Sequence, residues 1–162
     1  MSMQATEKVP VRKEGNFDLN ELGALPSFYL AQLNHAEDKI AFYWDKTGRL
    51  ELYVIDLKTS EIEQVTNGEL PRTVRAGYEW SHDDQKIIFT RDRAGNEMHD
   101  LYEINVEAGD VMQLTNTPNA RDVILDAFPD GKWYLVNSDR DGQMNLYRMD
   151  VEKSENFEQI TE

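Results

Sequence analysis

The sequence contains no cysteine. That excludes a disulfide framework, a thiolate metal centre and a thiol nucleophile. Positive charge is scarce: 17 Lys and Arg face 31 Asp and Glu, a formal net charge of −14. A general nucleic-acid binder needs cations to neutralise phosphates, and a polybasic membrane-surface protein needs them for anionic headgroups. Both classes are excluded as expectations. Long apolar runs are also missing. The longest near the N-terminus is residues 40–44, far below the roughly 20 residues that span a bilayer. Residues 1–15 carry no apolar core of the kind an export signal needs, and the expected location is cytoplasmic. There are only three histidines, no sustained helical period, and no cofactor fingerprint. With 40% hydrophobic and 10% aromatic residues, the chain nevertheless has the means to form a packed core.

What is present is a repeat. Shifted against itself by 47 residues, the chain falls into register three times. Ile40-Ala41-Phe42 lies over Ile87-Ile88-Phe89 and Tyr134-Leu135-Val136. Asp45-Lys46-Thr47-Gly48 lies over Asp92-Arg93-Ala94-Gly95 and Asp139-Arg140-Asp141-Gly142. Leu52-Tyr53, Leu101-Tyr102 and Leu146-Tyr147 follow, with Asp56, Asn105 and Asp150 shortly after. Each unit closes on Gln-x-Thr: Gln64 to Thr66, Gln113 to Thr115, Gln159 to Thr161.

Each unit holds four short runs rich in Ile, Val, Tyr, Phe and Trp, separated by turn residues. The runs are 27–33, 39–44, 51–57 and 62–66; then 75–80, 86–91, 100–106 and 110–115; then 123–128, 133–138, 145–151 and 157–161. Four strands per repeat of this length predict all-β propeller blades. The expected architecture is three four-stranded antiparallel blades at about 25–70, 71–118 and 119–162, with residues 1–20 as an N-terminal arm. Asp45, Asp92 and Asp139 are expected to cap their own turns as Asx residues, with Gly48, Gly95 and Gly142 supplying positive φ. Recurrence in every unit points to structure, not catalysis.

The run Asp139-Arg-Asp-Gly-Gln-Met-Asn-Leu-Tyr-Arg-Met-Asp150 resembles the repeat of TolB-like propellers. Thr90-Arg-Asp-Arg-Ala-Gly-Asn-Glu-Met-His-Asp-Leu-Tyr102 resembles the propeller of acylaminoacyl peptidases and related members of the prolyl oligopeptidase family. Leu25-Pro-Ser-Phe28 and the run from Ile40 to Tyr53 are similar to the start of such a propeller. The resemblance spans residues 21–162. It implies a propeller that gates or positions peptide substrates beside an α/β-hydrolase domain. No Gly-x-Ser-x-Gly elbow surrounds any serine here, so no catalytic residue is assigned and no peptidase activity is expected from these residues alone. The alternative is a TolB-like module that binds protein through a loop face.

Candidate binding residues sit on the hairpin between Asp92 and Leu101, which is two residues longer than its counterparts. These are Arg93, Asn96, Glu97 and His99, since loops on rigid scaffolds often carry recognition. His35 and His82 occupy equivalent positions, and a blade width between them argues against shared metal coordination. A closed propeller has four to eight blades. Three blades leave two flanks, expected to carry Phe28, Tyr29, Phe42, Trp44, Tyr53, Trp133, Leu135, Tyr147 and Met149. The flanks would be covered by further blades of a longer chain, by a partner chain, or by a second copy in a homo-oligomer making a six-bladed ring.

Overall fold

The computed structural model describes residues 23, 25–70, 77–92 and 98–161. Within them the chain forms strands only: β1 Phe28–Leu33, β2 Lys39–Trp44, β3 Glu51–Asp56 and β4 Ile62–Gln64; β5 Tyr78–Trp80, β6 Lys86–Asp92, β7 His99–Asn105 and β8 Val111–Gln113; β9 Asp122–Ala127, β10 Trp133–Ser138, β11 Asn145–Asp150 and β12 Phe157–Gln159. They build three separate four-stranded antiparallel sheets in chain order, here blades 1, 2 and 3. No helix among the described residues is long and apolar enough to cross a membrane. The proposed N-terminal arm lies outside the described residues.

Side chains alternate across each strand, so every blade has two faces. In blade 2, Ile87, Phe89 and Ile104 pack toward blade 1, in one core with Ala41, Tyr43, Leu52 and Val54. Ile88 and Leu101, one residue out of phase, pack toward blade 3, in a second core with Ile124, Tyr134, Val136 and Met149. Each blade therefore has a leading face toward the preceding blade and a trailing face toward the next. Both junctions are trailing-on-leading. Blade 1 leaves its leading face open, with Phe42, Trp44 and Tyr53 in one aromatic cluster of 5.2–6.0 Å centroid spacing. Blade 3 leaves its trailing face open, with Leu135 half-buried and Arg148 over the Trp133 ring.

This phase corrects part of the flank expectation. Tyr147 and Met149 pair across from Val136 and Tyr134 and face inward; both are buried. Tyr53 is on the open face but is covered by its aromatic neighbours, its hydroxyl donating to Gln64 Oε1 at 3.0 Å. Phe28 and Tyr29 are exposed.

The recurring polar landmarks have specific jobs. Thr66 Oγ1 accepts the Leu52 N–H at 2.8 Å, and Thr115 and Thr161 do the same for Leu101 and Leu146 at 2.9 Å. The fourth strands end at their Gln residues because a hydroxyl then replaces the main-chain acceptor. The Gln64 and Gln113 amides close this corner on the carbonyls of Thr66 and Thr115, at 2.7 and 2.8 Å. Asp56, Asn105 and Asp150 are the Asx residues of the third turn, each accepting two following N–H groups at 2.8–3.0 Å.

Asp45 and Asp139 behave differently from expectation. The Asp45 carboxylate accepts the N–H of Ser27, 18 residues earlier, at 2.5 Å. Asp139 accepts the N–H of Arg121, also 18 residues earlier, at 2.7 Å. They tie the entry of the first strand to the exit of the second. The turns close through main-chain bonds from Gly48 N to Asp45 O and from Gly142 N to Asp139 O, with φ of 81° and 93° at the glycines. Burial opposes ionisation of Asp139, but the N–H and guanidinium of Arg121 outweigh it and hold its carboxyl below the usual range.

Candidate functional site on the axial strands

The first strands of the blades converge. Gln32 on β1 donates through Nε2 to both carboxylate oxygens of Glu79 on β5, at 2.9 and 2.8 Å. Trp80 Nε1 donates to the Gln32 carbonyl at 3.3 Å. β5 in turn lies against β9. Across the blades the first strands thus mark the axis, and the fourth strands lie outermost. The Tyr78 hydroxyl of blade 2 reaches the carbonyls of Leu30 and Ala41 at 2.5 and 2.6 Å. It pins the irregularity in β1, where Leu30 has φ of 53° and the register shifts.

Gln32, Glu79 and Asp126 occupy one repeat position, each 47 residues from the next. They place one polar group of each blade at the same position of its first strand. Glu79 and Asp126 use the same local bond, a carboxylate oxygen accepting the N–H of the next residue at 3.0 and 2.8 Å. Glu79 is only 8% exposed. Burial pushes its carboxyl above the usual range; the Gln32 amide opposes this and the Asp126 charge adds to it.

The sign of that shift gives a prediction. A group whose folded pKa is raised binds its proton longer in the native state, so its stabilising effect is present below the unfolded pKa and is lost as pH rises through the folded one. Glu79→Gln therefore raises the melting temperature at pH 7.5 by roughly 2–4 °C, and the gain disappears toward pH 4. Differential scanning calorimetry across that range checks it. A gain that grows on acidification contradicts it.

The face carrying the turns between first and second strands holds an acidic groove of about 450 Å³ between blades 1 and 2, lined by Asp38, Asp83, Asp84 and Glu107. Asp84 bridges the blades. It accepts the N–H groups of His35 and Ala36 at 2.8 and 2.9 Å, and the Asn34 amide at 3.1 Å. His35 and His82 are not a blade width apart: their ring centroids are 5.4 Å from each other, edge to face. Equivalent turns draw together because the first strands converge. Among the described residues, no three His, Cys, Asp or Glu side chains converge to hold a metal ion.

Of the residues singled out on the long hairpin, Arg93, Asn96 and Glu97 lie outside the described residues. His99 opens β7, half-buried and paired across from Asp92. The axial residues Gln32, Glu79 and Asp126 and the bridging Asp84 were not singled out by sequence. For the axial three the signal is a polar residue recurring at the repeat spacing inside a strand; Asp84 lies in a turn, and its bridge to the preceding blade is a tertiary contact without such a signal.

Three sheets joined trailing face to leading face around converging first strands define a segment of a TolB-type β-propeller. More particularly, the chain belongs to the family of the dipeptidyl peptidase IV (DPP IV) N-terminal region, whose family model matches residues 19–138. It is 32% identical over 83 residues to the uncharacterized protein Atu1656 of Agrobacterium fabrum, covering 51% of this chain and 27% of that protein. Among solved structures it is similar to TolB from Acinetobacter baumannii (TM-score 0.67, 24% identity, 84% of this chain and 32% of that one). It is also similar to puromycin hydrolase (TM-score 0.62, 18% identity, 83% of this chain and 23% of that one). The chain thus spans about a quarter to a third of the length of these proteins.

Proposed function

We propose that the chain serves as the propeller portion of a peptidase of prolyl oligopeptidase type, admitting and positioning peptide segments at its axial strands, with the nucleophile on a hydrolase domain. The observation that carries this reading is the family match, which covers most of the chain. The axial geometry supports it physically. The first strands stand at the inner edges of their sheets, where an edge offers main-chain donors and acceptors to an extended peptide. Gln32 and the exposed carboxylate of Asp126 add polar groups along the same line, with the buried Glu79 holding the Gln32 amide in place.

The test is direct binding. Fluorescein-labelled peptides of about four to eight residues, titrated with the pure chain, give saturable anisotropy with Kd between about 10 μM and 1 mM. The Gln32→Ala/Glu79→Ala variant weakens it at least about fivefold, roughly 1 kcal/mol. A chromogenic peptide anilide is not turned over in the same solutions. No saturable binding contradicts the proposal, as does turnover abolished by a serine-directed inhibitor.

A further inference from the structure

The turn between the first and second strands has the same backbone in all three blades. One main-chain bond closes it from Glu37, Asp84 or Gly131 N to the carbonyl three residues earlier. A second runs from Asn34, Ser81 or Phe128 N to the carbonyl of Lys39, Lys86 or Trp133. The residue at the tip is left-handed each time, with φ of 55° at Glu37, 59° at Asp84 and 68° at Gly131. This conformation suits glycine and costs free energy for any side chain. In two of three blades it is not glycine.

The two internal junctions show what the position does. Asp84 sends its carboxylate to the preceding blade, where it accepts the His35 and Ala36 N–H groups and the Asn34 amide and lies 3.1 Å from His35 Nδ1. At Gly131 a Cβ would lie 2.8 Å from His82 Cδ2, again on the preceding blade. The tip therefore points at the preceding blade wherever one exists. Strain is offset by a bridge at one junction and avoided by glycine at the other. Glu37 has the strained backbone, is exposed, and by the same geometry points to the open leading side of blade 1.

We propose that this open face docks a propeller blade whose first turn presents two consecutive main-chain N–H groups to the Glu37 carboxylate, and that blade 3 of a second copy is not that blade. The residues of blade 3 that correspond to His35 and Ala36 are Pro129 and Asp130. Proline has no N–H to give. Asp130 would bring a like charge to Glu37, and like-charge juxtaposition selects against a partner. Apolar burial is generic to such faces; the paired donors and the absence of a carboxylate are what make this partner specific.

Repairing the mismatch tests the assignment. Pro129→Ala restores an N–H. Asp130→Asn removes the charge and keeps the acceptor that now takes the Lys132 N–H at 3.0 Å. In sedimentation velocity the Pro129→Ala/Asp130→Asn chain self-associates at least about tenfold more tightly than the unaltered chain. Adding Glu37→Ala removes that gain. A second measurement reads the single chain: Glu37→Gly raises the melting temperature, because it relieves the backbone and breaks no contact, whereas Asp84→Gly lowers it. The proposal is overturned by an unaltered chain that dimerises as tightly as the repaired one, by no gain on repair, by a gain that survives Glu37→Ala, or by a lowered melting temperature for Glu37→Gly.

Discussion

Phe89→Ala destabilises the protein by about 3–5 kcal/mol, whereas Phe42→Ala, at the same repeat position, costs about 1 kcal/mol. Phe89 is fully buried on the leading face of blade 2, stacked on Tyr102 at 5.9 Å and packed against the trailing face of blade 1. Its truncation removes buried apolar surface and leaves a cavity walled by two sheets that cannot collapse independently. Phe42 has the same strand position and the same tyrosine partner, Tyr53, at 6.0 Å. It lacks the blade in front, so truncation loses ring contacts and little else. Urea titration of both variants reads the difference. Equal losses would mean that something covers the leading face of blade 1.

The second large effect is at Arg140. Its guanidinium donates to Asp122 Oδ1 at 3.0 Å and to Ser138 Oγ at 3.2 Å, and lies 3.2 Å from the Phe157 ring centroid. Asp122 is fully buried and also accepts from Ser138 Oγ at 2.6 Å and Thr117 Oγ1 at 3.2 Å. Arg140→Ala strands a buried carboxylate, and breaking such a pair costs about 3–5 kcal/mol, a fall in melting temperature of roughly 10 °C. Adding Asp122→Asn recovers at least half of the loss, because a neutral amide keeps an acceptor for the Ser138 hydroxyl and offers a donor to the Thr117 hydroxyl, without a charge to solvate. A loss below about 1 kcal/mol for Arg140→Ala would place the pair in the class of surface ion pairs.

The blade architecture was legible because a repeat reports each strand three times. The second strands at 39–44 and 133–138 coincide with β2 and β10. The fourth strands run short of the sequence expectation because Thr66, Thr115 and Thr161 end them through side-chain bonds that no propensity encodes. Sequence identified Asp45 and Asp139 as structural but gave them the wrong partners, since a donor 18 residues back is a tertiary contact. Tyr147 and Met149 face the blade junction and not the open flank, because alternation fixes which residues share a face, not which neighbour that face meets. The closeness of His35 and His82 could not be read from spacing, which says nothing about how tightly equivalent turns converge. The axial set Gln32, Glu79 and Asp126 is legible as polar residues recurring at the repeat spacing inside strands, which turn and loop chemistry does not reveal.

Each blade carries one tryptophan: Trp44 half-buried on the open face of blade 1, Trp80 with no exposed surface at the first junction, Trp133 half-buried on the open face of blade 3. Acrylamide quenching of three single-tryptophan chains, the other two positions replaced by Phe, reads each flank separately. Trp44 and Trp133 should quench readily and Trp80 hardly at all. Shielding of Trp44 and Trp133 to the level of Trp80 in the isolated chain would contradict the assignment of these two faces as open.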